Sequence, residues 1–142
     1  MALDWLWNHS IGGKMSQSVI VDACGWVAII DSGVNFELEL EKTIGTFQLI
    51  LLTEVLDELK DLEGKRPKRR SLLINMLLSK SRIMTFVSES SNHTDDLIFQ
   101  LATENSYKVL TVDKELKKRL YQSGIDVIEI VKNKHLSLIE GL

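Results

Sequence analysis

Short runs of apolar residues alternate along this chain with longer stretches in which apolar residues recur every three or four positions. The runs predict strands at residues 19–22, 47–52, 83–87, 108–112 and 126–131. The periodic stretches predict helices at residues 25–30, 36–44, 54–64, 68–81, 94–102 and 114–122. Strands that alternate with helices are typical of a parallel sheet covered on both faces. We therefore expect an α/β fold, a three-layer α/β/α sandwich whose mainly parallel sheet has about five strands.

The predicted helix starts depend on single residues. Thr53 and Thr94 are expected as N-caps, since a hydroxyl at that position can accept a hydrogen bond from the first turn. Pro67 is expected to start the helix over residues 68–81, because its fixed φ suits the first helical position. The polar stretch at residues 88–93 is expected to be a loop.

The first 16 residues differ from the rest of the chain. They contain Trp5 and Trp7 but no basic start followed by a long apolar segment, so a signal peptide is not expected. No run reaches the roughly 18 apolar residues of a membrane span, so no membrane association is expected. We divide the chain into an N-terminal extension, residues 1–16, and one domain, residues 17–142. The single cysteine, Cys24, excludes an internal disulfide and favours a reducing, cytoplasmic location.

The basic residues are unevenly distributed. The net charge of −3 does not by itself decide for or against a nucleic-acid partner. However, nine of the 17 lysines and arginines fall into two groups, one at residues 65–70 and one at residues 114–119. Such groups can give a nearly neutral protein a basic face. Solvated charge on exposed helices explains them equally well.

Acidic residues recur where predicted strands turn into helices. Asp22 ends the first strand, Asp113 ends the fourth, and the pair Asp95 and Asp96 opens a helix, while Glu58 lies on the helix after the second strand. Because the carboxyl ends of parallel strands meet at one edge, these side chains can converge there. Neighbouring carboxylates repel one another unless a cation such as Mg²⁺ or Mn²⁺, which prefers oxygen ligands, neutralises them.

The same acids also have local explanations. An aspartate at a helix start can offset the helix dipole or cap the helix. Glu54, Glu58 and Asp61 recur along one side of a helix, as a solvated acidic face would. Asp22 is the hardest to explain locally, because a charged side chain beside a buried strand is rarely left unpaired.

Four short motifs together resemble the PIN-domain ribonucleases, from residue 19 to about residue 130. The motifs are Val21-Asp22, Val55-Leu56-Asp57-Glu58-Leu59, Asp95-Asp96-Leu97-Ile98 and Leu110-Thr111-Val112-Asp113. No single motif is specific, and their order and spacing carry the resemblance. The basic segment at residues 65–70 is more similar to the archaeal-type, ribosomal RNA-processing branch than to the small toxin members.

The resemblance implies a metal-dependent endoribonuclease that hydrolyses phosphodiester bonds of single-stranded RNA. The acids implied to bind one or two Mg²⁺ or Mn²⁺ ions and to catalyse the reaction are Asp22, Glu58, Asp95 and Asp113. The side chains expected to support these acids are Glu54, Asp96 and Thr111. The basic residues expected to contact RNA phosphates are Lys65, Arg66, Lys68, Arg69, Arg70 and Lys114.

One tripeptide departs from the family pattern. Many members have Asp-Thr-Asn or Asp-Thr-Ser after the first strand, whereas this chain has Asp22-Ala23-Cys24. A thiol forms only weak hydrogen bonds, so support for the acids is expected to be reduced or to come from elsewhere, with Thr111 as the candidate. The change concerns the level of activity and leaves the acids in place.

Several functional alternatives stay open. A ribonuclease of this type would act in ribosomal RNA maturation or as the toxin of a toxin–antitoxin pair, with RNA and an antitoxin or ribosome-assembly partner. A homodimer contact through residues 72–78 is a further expectation. The alternative function is a catalytically weak or silent PIN-like module that binds RNA or serves as a scaffold. A receiver or haloacid-dehalogenase-like phosphatase is disfavoured, since residues 22–24 lack an acidic pair or Asp-x-Asp.

Overall fold

The computed structural model describes residues 16–87, 93–132 and 134–142, which build a single six-stranded sheet flanked by helices. The strands are β1 Gln17–Val21, β2 Phe47–Leu52, β3 Ser81–Met84, β4 Lys108–Leu110, β5 Val127–Val131 and β6 His135–Ile139. The α-helices are α1 Ala23–Ser32, α2 Phe36–Ile44, α3 Thr53–Gly64, α4 Ile74–Lys80, α5 Thr94–Asn105 and α6 Lys114–Gln122. A 3₁₀ turn covers Lys68–Arg70.

The sheet confirms the predicted fold class. Its strand order is β3-β2-β1-β4-β5-β6, and every neighbouring pair is parallel except β5 and β6. The chain steps from β1 outward to β2 and β3, then returns to β4 on the other side of β1. Right-handed crossovers therefore place α1 to α4 on one face of the sheet and α5 and α6 on the other. The packing agrees, since α1 contacts α3 and α5 contacts α6.

The central strands are buried on both faces, which explains why they are continuously apolar. In β1, Val19, Ile20 and Val21 are fully buried, and residues 49–52 of β2 are almost as deeply buried. Leucines and valines from the facing helices, such as Val55 and Leu59 of α3, complete this core. The result is a rigid sheet whose carboxyl edge can hold polar side chains at fixed positions.

The predicted helix over residues 68–81 is only partly correct. Pro67 is followed by the 3₁₀ turn, and α4 begins at Ile74. Leu72 explains the interruption: its N–H donates to a Glu63 carboxylate oxygen at 2.7 Å, and its carbonyl accepts the Trp26 indole N–H at 2.8 Å. Because both backbone groups of Leu72 are bound outside any helix, the chain is held away from helical geometry there.

The strand β6 was not predicted. It pairs antiparallel with β5, so the sheet has six strands rather than about five. Glu39 of α2 holds its start: one carboxylate oxygen accepts the Leu136 N–H at 3.1 Å and lies 3.0 Å from Nδ1 of His135. The alternation of Leu136 and Leu138 with polar residues was the available signal for β6, although the Glu39 contact that fixes the strand is long-range.

Two predicted N-caps are wrong. Thr53 and Thr94 are the first residues of α3 and α5, and Leu52 and His93 occupy the cap positions. The Thr53 hydroxyl instead donates to a carboxylate oxygen of Glu54 at 3.0 Å. Neither helix therefore has a side-chain cap, and acidic residues in their first turns offset the dipole instead.

The strands β3 and β4 end earlier than predicted, at Met84 and Leu110 rather than at residues 87 and 112. Each ends level with its neighbour, since Met84 pairs with Leu52 of β2 and Leu110 pairs with Val21 of β1.

None of the helices in the described ranges is both long and apolar enough to cross a membrane. The extension predicted for residues 1–16 lies outside the described residues apart from Ser16, so the division into extension and domain stays a prediction. Most of the loop predicted at residues 88–93 also lies outside them.

Candidate functional site

The carboxyl ends of β1 and β4 form the point where the chain direction across the sheet reverses. Crevices at such reversals are the usual ligand sites of open α/β sheets. Asp22 directly follows β1, and Thr111 directly follows β4. The two ends are joined by a backbone hydrogen bond of 3.0 Å from the Asp22 N–H to the Leu110 carbonyl.

Asp22 is held in a single orientation. It is only 5% exposed, and one carboxylate oxygen accepts the N–H of Ala23 at 2.8 Å. The other oxygen accepts the Thr111 hydroxyl at 2.7 Å and the Cys24 thiol at 3.0 Å. These donors satisfy a carboxylate that the buried strand would otherwise leave unpaired.

Thr111 links Asp22 to Asp113. Its side chain is fully buried, and its hydroxyl oxygen accepts the backbone N–H of Asp113 at 3.1 Å while the hydroxyl proton goes to Asp22. Asp113 in turn caps α6 by accepting the Leu116 N–H at 3.0 Å. Asp113 therefore caps α6, as its local position predicts, and it is also connected to Asp22 through Thr111.

Gly25 is a site residue that sequence reasoning did not single out. A Cβ atom added there would lie 2.6 Å from the Leu110 carbonyl oxygen and 3.2 Å from the Thr111 Cα. Only glycine lets the first turn of α1 approach the end of β4 so closely. A glycine inside an otherwise apolar helix was the available signal.

Cys24 contacts both Asp22 and Thr111. Its sulfur lies 3.4 Å from the Thr111 hydroxyl oxygen, in addition to the bond with Asp22. Burial raises the pKa of the Cys24 thiol, and the negative charge of Asp22 raises it further. The side chain is therefore a neutral thiol at physiological pH, able to donate its proton to Asp22.

Asp95 and Glu58 complete the set of predicted acids, on α5 and α3. Both are partly open to solvent. Desolvation raises the pKa of Asp95 most, and the negative charges of Asp22, Asp113 and Glu58 raise it further, against an opposing effect of Arg119. Asp95 therefore lies within the electrostatic reach of the other three acids.

The described residues contain no three His, Cys, Asp or Glu side chains that converge tightly enough to make a complete metal-ligand set. The four acids are thus neighbours around one edge of the sheet and do not surround a single point. This arrangement suits a cation bound by carboxylate and water oxygens together rather than by carboxylates alone.

The expected supporting residues differ in what they contact. Thr111 binds Asp22 directly. Glu54 accepts the hydroxyl of Thr53, and Asp96 forms an ion pair of 2.8 Å with Arg119. These contacts connect Glu54 and Asp96 to residues other than the four acids.

The basic residues predicted to bind RNA fall into two kinds. Arg66 is only 16% exposed, pairs with Asp31 and donates to the Arg70 carbonyl at 2.7 Å. Its hydrogen bond is the largest cause of the lowered pKa of Asp31. Arg70 is 58% exposed and lies 3.6 Å from the same Asp31 carboxylate. Both arginines therefore hold the segment before α4 against Asp31. The exposed ones, which have no acidic partner within ion-pair distance in the described ranges, are Lys65, Lys68, Arg69 and Lys114.

Comparison with known proteins agrees with this architecture. Residues 19–133 match the family described as "PIN like domain". Ribonuclease VapC4 of Methanocaldococcus jannaschii is 27% identical over 128 residues, covering 84% of this chain and 95% of that protein. The structure of the PIN domain endonuclease Utp24 superposes with a TM-score of 0.68 at 19% identity, covering 88% of this chain and 94% of that chain. The likeness to Utp24 concerns the fold alone.

Proposed function

Because this chain belongs to the family of PIN-like domains, we propose that it is a metal-dependent endoribonuclease that hydrolyses phosphodiester bonds of single-stranded RNA. The observation that carries the proposal is the junction at the ends of β1 and β4, where the Thr111 hydroxyl donates to Asp22 and accepts the Asp113 N–H. The charges of Asp22, Asp113 and Glu58 also raise the pKa of Asp95, after the larger effect of burial. A fold that brings negative charges together at a crevice creates a site for a cation. The similarity to a protein named a ribonuclease supports RNA as the substrate.

The residues present fit a hard divalent cation. Asp22, Glu58, Asp95 and Asp113 supply only oxygen donors, the type that Mg²⁺ and Mn²⁺ prefer. Burial raises the pKa of Asp95 most, and the negative charges of Asp22, Asp113 and Glu58 add a repulsion that a bound cation would remove. Because the acids are spread around the edge, some of the contacts to one or two ions would pass through water.

A bound divalent ion would supply a water of lowered pKa and would stabilise the charge on the leaving oxygen. The chain's own residues provide orientation. Thr111 and Cys24 donate to the same Asp22 oxygen, which holds the carboxylate in one direction. The Leu116 N–H fixes one oxygen of Asp113 and leaves the other free of that contact. The partly exposed carboxylates of Glu58 and Asp95 remain accessible to water and substrate.

The RNA would lie across the carboxyl edge of the sheet, where Lys114 directly follows Asp113 and would neutralise a phosphate. Arg66 and Arg70 hold the other basic group against Asp31, at the opposite end of α1 from Asp22, so Lys65, Lys68 and Arg69 would meet phosphates farther along the strand. Tyr107 and Tyr121 are isolated from one another, so no platform for stacking successive bases is evident among the described residues. Recognition through the backbone, with little dependence on base sequence, follows from this arrangement.

The proposal is tested by incubating the protein with unstructured and structured RNA, with and without Mn²⁺. Cleavage of the unstructured RNA should require the metal. Asp22→Asn and Asp113→Asn should reduce the rate at least about 100-fold, because each removes a charge that stabilises the metal. Glu104→Gln is the matched control, since Glu104 is an exposed acid in the last turn of α5, at the opposite end of that helix from Asp95.

Undiminished cleavage by both site variants would refute the assignment of the acids. RNA binding without cleavage by the unmodified protein would assign it to the alternative of a silent RNA-binding module. Growth arrest on expression, relieved by Asp22→Asn, would favour a toxin role over ribosomal RNA maturation.

A further inference from the structure

Arg119 of α6 is held in a defined position beside the acidic edge. Its Nη1 donates to a carboxylate oxygen of Asp96 at 2.8 Å. Its guanidinium carbon lies 4.5 Å from the centre of the Phe99 ring, a stacked cation–π contact. Asp96 and Phe99 both belong to α5, so the neighbouring helix fixes the cation from two directions.

The position of Arg119 differs from that of Arg66. Arg66 is largely buried against Asp31 and the backbone, whereas the side chain of Arg119 is 43% exposed. Arg119 therefore combines two properties that rarely occur together on a surface: its orientation is fixed, and its charge faces solvent. A flexible surface lysine would lose more side-chain entropy on binding the same ligand.

We propose that Arg119 binds a phosphate of the RNA that lies next to the scissile bond, and so positions the strand against the acids. The proposal rests on the proposed function of the same site. Asp96, which holds Arg119, is adjacent in the chain to the candidate metal-binding Asp95.

The chemistry of the site calls for such a cation. RNA phosphates approaching several carboxylates are repelled, and a fixed positive charge at the rim offsets the repulsion. The guanidinium is a planar fork that can bind a phosphate through two parallel hydrogen bonds. Nη1 is directed at Asp96, and within the described ranges no hydrogen bond engages the other nitrogen atoms of the fork, so these can bind the phosphate.

Binding can be measured without cleavage. A fluorescently labelled single-stranded oligoribonucleotide is titrated with protein in EDTA over a range of KCl concentrations, and anisotropy gives the affinity. Arg119→Gln should weaken binding about tenfold and reduce the slope of log K against log salt by about 0.7. Arg119→Lys keeps the charge but loses the planar guanidinium and its stacking on Phe99. This variant should therefore show the salt slope of the unmodified protein but only part of its affinity.

Lys118→Gln is the matched control. It removes the same charge from the same helix, but Lys118 lines a groove with Tyr121, Val127 and Ile139 on a different side of α6. This variant should leave both affinity and slope unchanged. An equal loss in both glutamine variants would overturn the proposal, because it would reduce Arg119 to one charge among many. An unchanged Arg119→Gln variant would also overturn it.

The phosphate can be located with oligonucleotides that carry a single neutral methylphosphonate linkage. A neutral linkage at one position of the oligonucleotide should weaken its binding to the unmodified protein. The same linkage should not weaken binding to the Arg119→Gln variant any further. In cleavage assays, Arg119→Gln should raise KM and leave kcat nearly constant. The binding assays need no catalysis, so the two proposals can fail separately. Absence of Mn²⁺-dependent cleavage would refute only the proposed nuclease activity. Absence of a position-specific effect of the neutral linkage would refute only the proposed role of Arg119.

Discussion

Thr111 donates its hydroxyl to the carboxylate of Asp22 at 2.7 Å, which joins two residues 89 positions apart in the chain. The bond crosses from the end of β4 to the end of β1 and is fully buried on the threonine side. It makes the orientation of Asp22 depend on the packing of two separate strands.

Replacing Thr111 by valine should weaken both metal binding and the stability of the fold. Valine keeps the branched shape but removes the donor to Asp22 and the acceptor of the Asp113 N–H. The expected cost is about 1–3 kcal/mol of unfolding free energy, measured in urea, because buried polar groups lose a partner. Apparent Mn²⁺ affinity in the cleavage assay should fall at least about tenfold.

Thr111→Ser is the control for this variant, since it retains the hydroxyl. It should recover the Mn²⁺ affinity even if the smaller side chain lowers stability. Equal Mn²⁺ affinities of the valine variant and the unmodified protein would show that the hydroxyl does not support the site.

Gly25→Ala should destabilise the protein, because a Cβ at that position meets the Leu110 carbonyl oxygen at 2.6 Å and backbone cannot move aside cheaply. We expect a loss of about 1–3 kcal/mol in urea unfolding, as for other overpacked sites. Gly64→Ala provides the comparison, since nothing lies within 4 Å of its added Cβ. If both variants unfolded at the same urea concentration, the close packing of α1 against β4 would be disproved.

Cys24→Ser should preserve or increase cleavage, whereas Cys24→Ala should decrease it. A hydroxyl is a stronger donor to Asp22 than a thiol, and alanine offers no donor. Initial rates at limiting Mn²⁺ compare the variants. A faster Cys24→Ala enzyme would mean that the thiol hinders the site rather than supporting it.

The thiol itself should react slowly. Because burial and the charge of Asp22 raise its pKa, the thiolate fraction at neutral pH is below that of an exposed cysteine. Alkylation by iodoacetamide should therefore be slower than for a cysteine in a short peptide at the same pH. Asp22→Asn, which removes the charge, should speed the reaction.

Glu39 should make stability depend on acid pH. The N–H of Leu136 is the largest cause that lowers its pKa, and the contact with His135 lowers it further. A lowered pKa in the folded state means that the contribution to stability is complete above the unfolded value of about 4.3. It is lost as the pH falls through the lower folded pKa.

Urea unfolding between neutral and strongly acid pH tests this dependence. Glu39→Gln should be less stable than the unmodified protein at neutral pH, and the difference should shrink in acid. Glu41→Gln, an exposed position on the same helix, serves as the control and should show no such convergence. A pH-independent difference for Glu39→Gln would contradict the assigned pKa.

The local patterns of the chain were sufficient to predict the fold class, since alternating apolar runs and amphipathic stretches correspond to β1 to β5 and to the helices that follow them. They were insufficient where one segment is held by another. The break before α4 depends on Trp26 and Glu63, and β6 depends on Glu39. Propensity within a window contains no information about such partners.

The same distinction applies to the candidate site. The sequence by itself determined which acids stand at the junctions between strands and helices, because that placement follows from local periodicity and chain order. Only the tertiary structure decided that Thr111 binds Asp22 and that α1 packs closely against the end of β4 at Gly25. It also decided that Phe99 and Asp96 fix Arg119 beside Asp95. These relationships depend on strand order and helix packing, in which residues far apart in the chain meet at distances that no local pattern encodes.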